Sequence, residues 1–320
     1  MKMKKYKTYC LLCITTFVVV SADTISGKSD AIIGAIKSTQ IQNDVSLFQI
    51  ARDNNVGIDE LFDANPNIDK DSILNGDVVI IPSSHLILTK PKKGIVVNLP
   101  ERRLYFFQEK EYDVITYPVG IGQVGWDTPL GEMTIIGKRK NPYWYVPESI
   151  LEKNEKDGIT LPRVVPPGPD NPLGPRAMRL SSPTYLIHGT NDPEGIGARS
   201  TAGCVSMYPE DVVSLYKKTS LKTVVSIIDE DLKWYIAGDK LCVEVHKPLE
   251  VSETEELEVE KHKIQLDKQQ QKIAMLEIDY KISSKDLDYW DGILSDKLGV
   301  PQCVSIEKRE GDASKGKNSK

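Results

Sequence analysis

The chain has 320 residues and a formal net charge of −5, from 41 basic and 46 acidic side chains, and 40% of its residues are hydrophobic. Such a length is a prior for about two domains, each with a real core. No dominant basic block stands in the body of the chain, which argues against nucleic acid as a partner.

The first segment reads as an export signal. Met1-Lys-Met-Lys-Lys-Tyr-Lys is a basic n-region, Cys10 to Val20 an apolar h-region, and Val20-Ser-Ala22 supplies small residues for cleavage. Residues 1–22 are therefore expected to be a signal peptide; the apolar run is short of the ~20 residues of a membrane span, which leaves a retained anchor as the second reading. Residues 23–40 are small and polar with little periodicity and read as a tether. Residues 41–86 then give helix, helix and strand: Leu47, Ile50 and Ala51 have helical spacing, Leu61, Phe62 and Ala64 begin a second helical pattern, and Asn75-Gly-Asp turns into Val78-Val-Ile-Ile-Pro82. This order, with Asn65-Pro66, resembles a small α/β LysM module, a family that binds N-acetylglucosamine-containing glycans. A packing subdomain without glycan affinity is the alternative.

The central region alternates β-type runs with turns. Ile95-Val-Val-Asn, Leu104-Tyr-Phe-Phe, Val114-Ile-Thr-Tyr, Met133-Thr-Ile-Ile, Tyr185-Leu-Ile-His and Val224-Val-Ser-Ile-Ile are strand candidates. The reading is a mainly β domain, sandwich or barrel-like, with a helix from about Pro209 to Tyr216 whose Pro-Glu-Asp start suits a helix N-terminus. The insertion from Asn141 to Asp170 is either a lid or a packed surface loop.

Inside this region Tyr185-Leu-Ile-His188-Gly189-Thr190-Asn191 is followed by Gly195-Ile-Gly197 and by Thr201-Ala-Gly203-Cys204. A thiol with an ordinary pKa of about 8.5 needs a base or a positive field to act as a nucleophile at neutral pH. Of the histidines His85, His188, His246 and His262, only His188 follows a strand-like run and opens a glycine-containing turn. Cys204 is the candidate nucleophile, His188 the candidate base, and acyl transfer the expected chemistry. Gly203 lets the backbone approach a substrate, and N–H groups of its turn are candidates for holding an oxyanion. Gly189 can orient His188 only through its main chain. On spacing alone, a buried cysteine and a hydrogen-bonded histidine sharing a core weigh about equally.

These residues resemble the signature of the L,D-transpeptidases, the YkuD or ErfK/YbiS family. Upstream, Gly94-Ile-Val-Val-Asn-Leu, Arg103-Leu-Tyr-Phe-Phe, Tyr117-Pro-Val-Gly-Ile-Gly, Thr128-Pro-Leu-Gly and Val165-Pro-Pro-Gly-Pro-Asp-Asn-Pro-Leu-Gly follow the family's order, so that the resemblance covers roughly residues 94–229. It is strongest to the LysM-containing periplasmic subgroup that attaches Braun-type lipoprotein to peptidoglycan. The resemblance implies a periplasmic enzyme that needs no cofactor or metal. It acts on peptidoglycan stem peptides and glycan strands, with a stem-peptide amine or a lipoprotein lysine as acceptor, and a carbapenem acylates its thiol. It also places Tyr185, Thr190, Thr201 and Ser206 at the substrate. The family usually reads Ser-x-Gly-Cys-x-Arg where this chain has Thr201-Ala-Gly-Cys204-Val-Ser206. Thr201 keeps a hydroxyl, whereas Ser206 removes a fixed positive charge. If the segment is extended, Cys204 and Ser206 share a face, and the thiol is expected to rely more heavily on His188. A thiol hydrolase using the same residues and a non-catalytic peptidoglycan-binding protein are the competing functions.

Residues 230–307 read as an α+β C-terminal subdomain. Thr254 to Ile282 is an amphipathic helix with Leu266, Ile273, Leu276 and Tyr280 on one stripe, expected to pack on the catalytic domain. Cys242 and Cys303 lie in alternating segments, as a disulfide or as two buried thiols. Cys242 and His246 alone make too weak a motif for zinc. Residues 308–320 are polar and small and read as a disordered tail.

Overall fold

In the computed structural model, which describes residues 31–41, 45–68, 75–87, 93–108, 114–182, 184–251 and 256–307, the apolar run that opens the central region lies in the core. Ile95, Val96 and Val97 are all fully buried, although successive strand residues point to opposite faces. Ile95 and Val97 enter the main core with Leu104, Ile135, Met178, Ile187 and Val225. Val96 joins Tyr105 and Phe107 in a second cluster on the other face, covered by Ile33 and Ile87 of the N-terminal segment. Both faces are covered, so the run is continuous instead of alternating. The signal peptide and tail expected at residues 1–22 and 308–320 lie outside the described residues.

The N-terminal module consists of β1 (Ile32–Gly34), β2 (Lys37–Gln40), α1 (Leu47–Asp53), α2 (Ile58–Asp63), β3 (Val78–Ile81) and β4 (Ser84–Leu86). The tether expected at 23–40 needs correction over its described part. β2 pairs antiparallel with β3, and β1 with β4. Neither strand shows apolar alternation in sequence; partners separated by more than thirty residues make them strands. Leu47, Ile50, Leu61, Val79 and Ile81 close the small core between helices and sheet.

The central domain contains β5 (Gly94–Asn98), β6 (Arg103–Phe107), β7 (Val114–Pro118), β8 (Ile121–Gly122), β9 (Gly131–Lys140), β10 (Trp144–Tyr145), α3 (Glu148–Lys156), β11 (Val164–Val165), β12 (Arg176–Leu180), β13 (Leu186–His188), β14 (Arg199–Thr201), β15 (Val205–Ser206), α4 (Pro209–Lys218) and β16 (Val224–Ile228). Eight strands form one sheet in the order β15-β13-β12-β9-β16-β5-β6-β7. Its two ends meet. Gly120, just past β7, bridges to Ser206 of β15, each N–H donating to the other's carbonyl at 2.9 Å. The sheet therefore curls into a barrel-like form, and α4 packs Val212 and Leu215 into its core.

The C-terminal subdomain contains β17 (Leu232–Ala237), β18 (Lys240–Val245), α5 (Glu256–Asp279), β19 (Lys281–Ile282), α6 (Leu287–Asp296) and β20 (Gln302–Glu307), with sheet order β17-β18-β20-β19. Cys242 and Cys303 face each other across β18 and β20 and are joined by a disulfide. The expectation that α5 packs on the central domain is corrected here. Ile273, Leu276 and Tyr280 pack into the C-terminal core with Leu241, Val243 and Trp290. Among the described residues, polar contacts run back from Gln265 to Asp229 and from Lys272 to Glu230.

Buried charges join the three parts. Arg103 of β6 donates to both carboxylate oxygens of Glu60 in α2, at 2.8 and 2.6 Å. Elsewhere the Lys233 ammonium lies between Glu101 and Glu244, His246 Nε2 stands 2.8 Å from Glu244, and Tyr105 donates to Glu101. The same cluster takes both backbone groups of Leu86 in β4: its N–H donates to Glu244, and its carbonyl accepts from Lys233. Two carboxylates balanced by two cations meet the condition under which buried ions are tolerated.

Burial by itself would lower the His246 pKa, but hydrogen bonds to Glu101 and Glu244 and their charges outweigh it and raise the value from 6.5 to about 9. A raised folded-state value contributes stability that is complete below pH 6.5 and lost as pH rises through about 9. The melting temperature should fall across that window, and His246→Gln should start lower and lose the slope. Equal slopes would assign the dependence to other groups. The disulfide spans a sequence separation of 61 residues, and chain entropy assigns such a closure about 4 kcal/mol. Cys303→Ser should lower the stability of the C-terminal subdomain by about 2–4 kcal/mol in denaturant titration; an unchanged midpoint would refute this.

Candidate active site

β13 and β15 run parallel at the end of the curled sheet, with Ile187 opposite Val205 and His188 opposite Ser206. Ile187 and Val205 enter the main core. By alternation, His188 and Ser206 face away from it. The parallel register brings Cys204, in the bend just before β15, beside β13, the strand that ends at His188.

His188 is 8% exposed, and its Nδ1 lies 2.5 Å from the Gly189 carbonyl. A carbonyl only accepts, so the proton of the neutral ring sits on Nδ1 and Nε2 keeps its lone pair. Burial lowers the ring's pKa from 6.5 to about 4, against the opposing pull of the Gly189 and Pro172 carbonyls. Burial also pushes the Cys204 thiol above its ordinary 9.0, opposed by the Leu186 backbone. Its Sγ points at the Thr184 carbonyl, 3.9 Å away. The resting pair is a neutral thiol and a neutral imidazole, with no hydrogen bond between them among the described residues. Such contacts often tighten only when substrate binds.

The turn carrying the thiol is held from inside. Thr201 Oγ1 donates to the Cys204 carbonyl at 2.6 Å and accepts the Gly203 N–H at 3.2 Å. One expectation changes as a result: the Gly203 N–H is engaged, while the Cys204 N–H has no partner among the described residues. Gly203 has φ +95°, and a Cβ there would lie 2.9 Å from the Tyr185 ring and 3.3 Å from the Trp126 and Asp127 carbonyls. Tyr185 is therefore a half-buried platform under the turn. Arg199 ties β14 to the same strip, donating to the Gly122 carbonyl at 2.9 Å and pairing with Asp127.

Ser206 is 5% exposed, and its Oγ sits 2.3 Å from where a Gly120 side chain would begin. An arginine in its place would meet the strand that closes the barrel. Thr190 closes its own turn, accepting the Asp192 N–H at 2.8 Å and donating to the Asp192 carbonyl at 3.0 Å. With Asn191 it lines a cleft of about 640 Å³ bounded by Pro167, Pro169, Gly174 and Pro193.

Sequence reasoning missed Asn171. Its side-chain amide donates to the carbonyls of Pro142, Val165 and Pro166, and its Oδ1 accepts the Leu173 N–H, which gathers the ends of the 141–170 insertion. The only signal was its place in a proline-rich run, where carbonyls lack neighbouring N–H partners. From this insertion α3 sends Lys153 over the Trp126 ring, 5.4 Å from its centroid. The insertion thus touches the strip that abuts Gly203.

Two groups have metal-ligand chemistry. Cys242 is in the disulfide and cannot serve with His246. Glu101, Glu244 and His246 offer ligand atoms within 4.8 Å of one another, but the Lys233 ammonium already lies between the carboxylates.

Comparison with known proteins matches residues 92–227 to the L,D-transpeptidase catalytic domain (YkuD) and residues 41–82 to the LysM domain. The chain is similar to the probable L,D-transpeptidase YcfS of Escherichia coli, 40% identical over 225 residues that make up 68% of this chain and 70% of that protein. Similarity to the probable L,D-transpeptidase YbiS of Escherichia coli is 36% identity over 215 residues, 67% of this chain and 70% of the relative. The probable L,D-transpeptidase ErfK/SrfK of Salmonella typhimurium is 35% identical over 195 residues, 60% of this chain and 63% of its own length.

The neutral resting pair sets a pH profile. Alkylation of Cys204 by iodoacetamide should be slow at neutral pH and climb only above the ordinary thiol value of 9.0. A plateau reached below neutrality would instead mean a preformed thiolate–imidazolium pair.

Proposed function

Since the chain belongs to the L,D-transpeptidase family, we propose that it acts in the periplasm, forming a Cys204 thioester with a peptidoglycan stem peptide and passing the acyl group to an amine. The observation that carries this reading is the 2.5 Å contact of His188 Nδ1 with the Gly189 carbonyl, which leaves Nε2 as the basic nitrogen on the strand paired with the one that follows Cys204. As Sγ bonds to the peptide carbonyl carbon, its proton passes to Nε2. The carbonyl oxygen becomes an oxyanion at the Cys204 N–H, whose removal from such a role typically costs about 10²–10³-fold. Collapse breaks the C–N bond, and His188 returns the proton to the leaving amine. The acceptor amine then attacks the thioester, gives a proton to His188, and frees the thiol.

The cleft lined by Thr190 and Asn191, which follow His188 in the chain, offers room for a second peptide and supports transfer over hydrolysis. The acceptor is a second stem peptide or a lipoprotein lysine. The 41–82 segment, matched to LysM, is proposed to engage the glycan strand. Among the described residues no helix is long and apolar enough to cross a membrane. The disulfide, together with the signal-like first 22 residues, supports export into an oxidising compartment.

Mass spectrometry of the full chain with defined muropeptides tests the reading. An acyl adduct on Cys204 and a cross-linked product are expected, both absent in Cys204→Ser, and a carbapenem should leave one adduct at the same residue. His188→Gln should slow turnover by about 10²–10⁴-fold. Release of free acid in the presence of an acceptor amine would favour a hydrolase. An adduct that persists in Cys204→Ser would remove the assignment.

A further inference from the structure

The N-terminal module bears on the chain on both sides of Cys204. Ahead of the nucleophile, Ile58, the first residue of α2, donates its N–H to the Ile196 carbonyl at 3.2 Å. Helix-start donors have no partner within the helix, so this bond satisfies a group that would otherwise be orphaned. Ala198 packs against the module's core beside Phe62 and Ile68. Behind the nucleophile, Arg52 of α1 makes a two-pronged pair with Glu210 in the first turn of α4, both bonds 2.8 Å, and lies 5.3 Å from the Tyr208 ring. Beneath both contacts, Glu60 accepts the Gly57 N–H at 2.6 Å while holding Arg103 of the sheet.

The closest approach is between two glycines. A Cβ on Gly57 would lie 2.6 Å from Gly197 Cα, and one on Gly197 would lie 2.2 Å from Gly57 Cα. Gly57 has φ −79° and ψ 155°, which any residue adopts, so its backbone does not call for glycine. The contact does. On its other side the 196–198 segment is held by the central domain: Gly197 donates to the Val119 carbonyl, and Ala198 accepts from the Ile121 N–H. The segment runs directly into β14 and the Cys204 turn, clamped between β8 and α2.

We propose that the N-terminal module is a working part of the active site, with Gly57 and Ile58 as positioning residues that fix the 196–198 segment and thereby set Cys204 against His188. The proposal rests on Cys204 being the nucleophile. It adds a second task to the module beyond any hold on glycan, because removing or shifting it releases one wall of the clamp.

The test adds one methyl group to the full chain. Gly57→Ala wedges the two backbones apart, and Gly57→Ser does the same with a side chain preferred at a helix N-cap, which separates the wedge from loss of capping. Val79→Ala, a cavity variant in the module core, is the control for lost stability. Both Gly57 variants should lower kcat for transfer between defined stem peptides by roughly 10–100-fold, the scale of a ~1 Å misplacement, with KM little changed. Val79→Ala should keep the parental kcat well below its melting temperature. A parental kcat in the Gly57 variants, or an equal loss in Val79→Ala, overturns the proposal. Iodoacetamide labelling of Cys204 reads the same displacement without an acyl donor: its rate should change severalfold in the Gly57 variants alone, and a parental rate there also overturns it. A parent chain that transfers nothing would count against the enzymatic assignment only, since the labelling arm still decides the positioning role.

Discussion

The site depends on a strand of two residues. β15 lies between β13 and Gly120, and it fits only because Gly120 has no side chain where the Ser206 hydroxyl packs. That closure turns an open sheet into a barrel-like one. It also fixes the parallel register that sets Cys204, the residue before β15, beside β13. Around this seam Val205, Met207 and Ile187 are fully buried, so the seam is anchored by its inward residues.

The chemistry is set by what surrounds the pair. Burial disfavours the charged form of both groups, lowering the imidazole and raising the thiol, so the two shifts keep the resting site uncharged. Position 206 carries a serine, and Arg199 is tied to Asp127 and backbone carbonyls. In the proposed reaction, proton transfer accompanies attack, and the geometry of the Cys204 turn counts for more than it would around a preformed thiolate. Thr201, in place of the family's serine, makes both hydrogen bonds that hold this turn.

Charge does different work away from the site. Arg103 with Glu60, and Lys233 and His246 with Glu101 and Glu244, are removed from water at the seams between the three parts of the chain. Each ion has its counter-ion supplied by another element, and removing one partner of such a pair costs about 3–5 kcal/mol. The arrangement ties the relative placement of the parts to complete pairing. A module shifted by one helical turn would leave a bare guanidinium or carboxylate in the interior.

The sequence by itself determined the family, through its motifs, and six of the eight strands of the central sheet. The proposed pair His188 and Cys204 stands out in sequence because thiol chemistry needs those residue types near turns, and β5, β6, β7, β9, β13 and β16 were legible because apolar β-branched and aromatic runs mark buried strands. β12 escaped because Arg176 and Arg179 interrupt its run, although it lies between β9 and β13. β1 and β2 escaped because only distant partners define them. Tertiary structure decided that Cys242 and Cys303 pair, that α5 covers the C-terminal sheet, that Gly203 gives its N–H to Thr201, and that the N-terminal module grips the segment leading to Cys204. All but the Gly203–Thr201 bond, which closes a local turn, are contacts between residues brought together by strand register or packing. Local residue pattern records which side chains are buried, while the identity of the partner that buries them is fixed only when the whole chain closes.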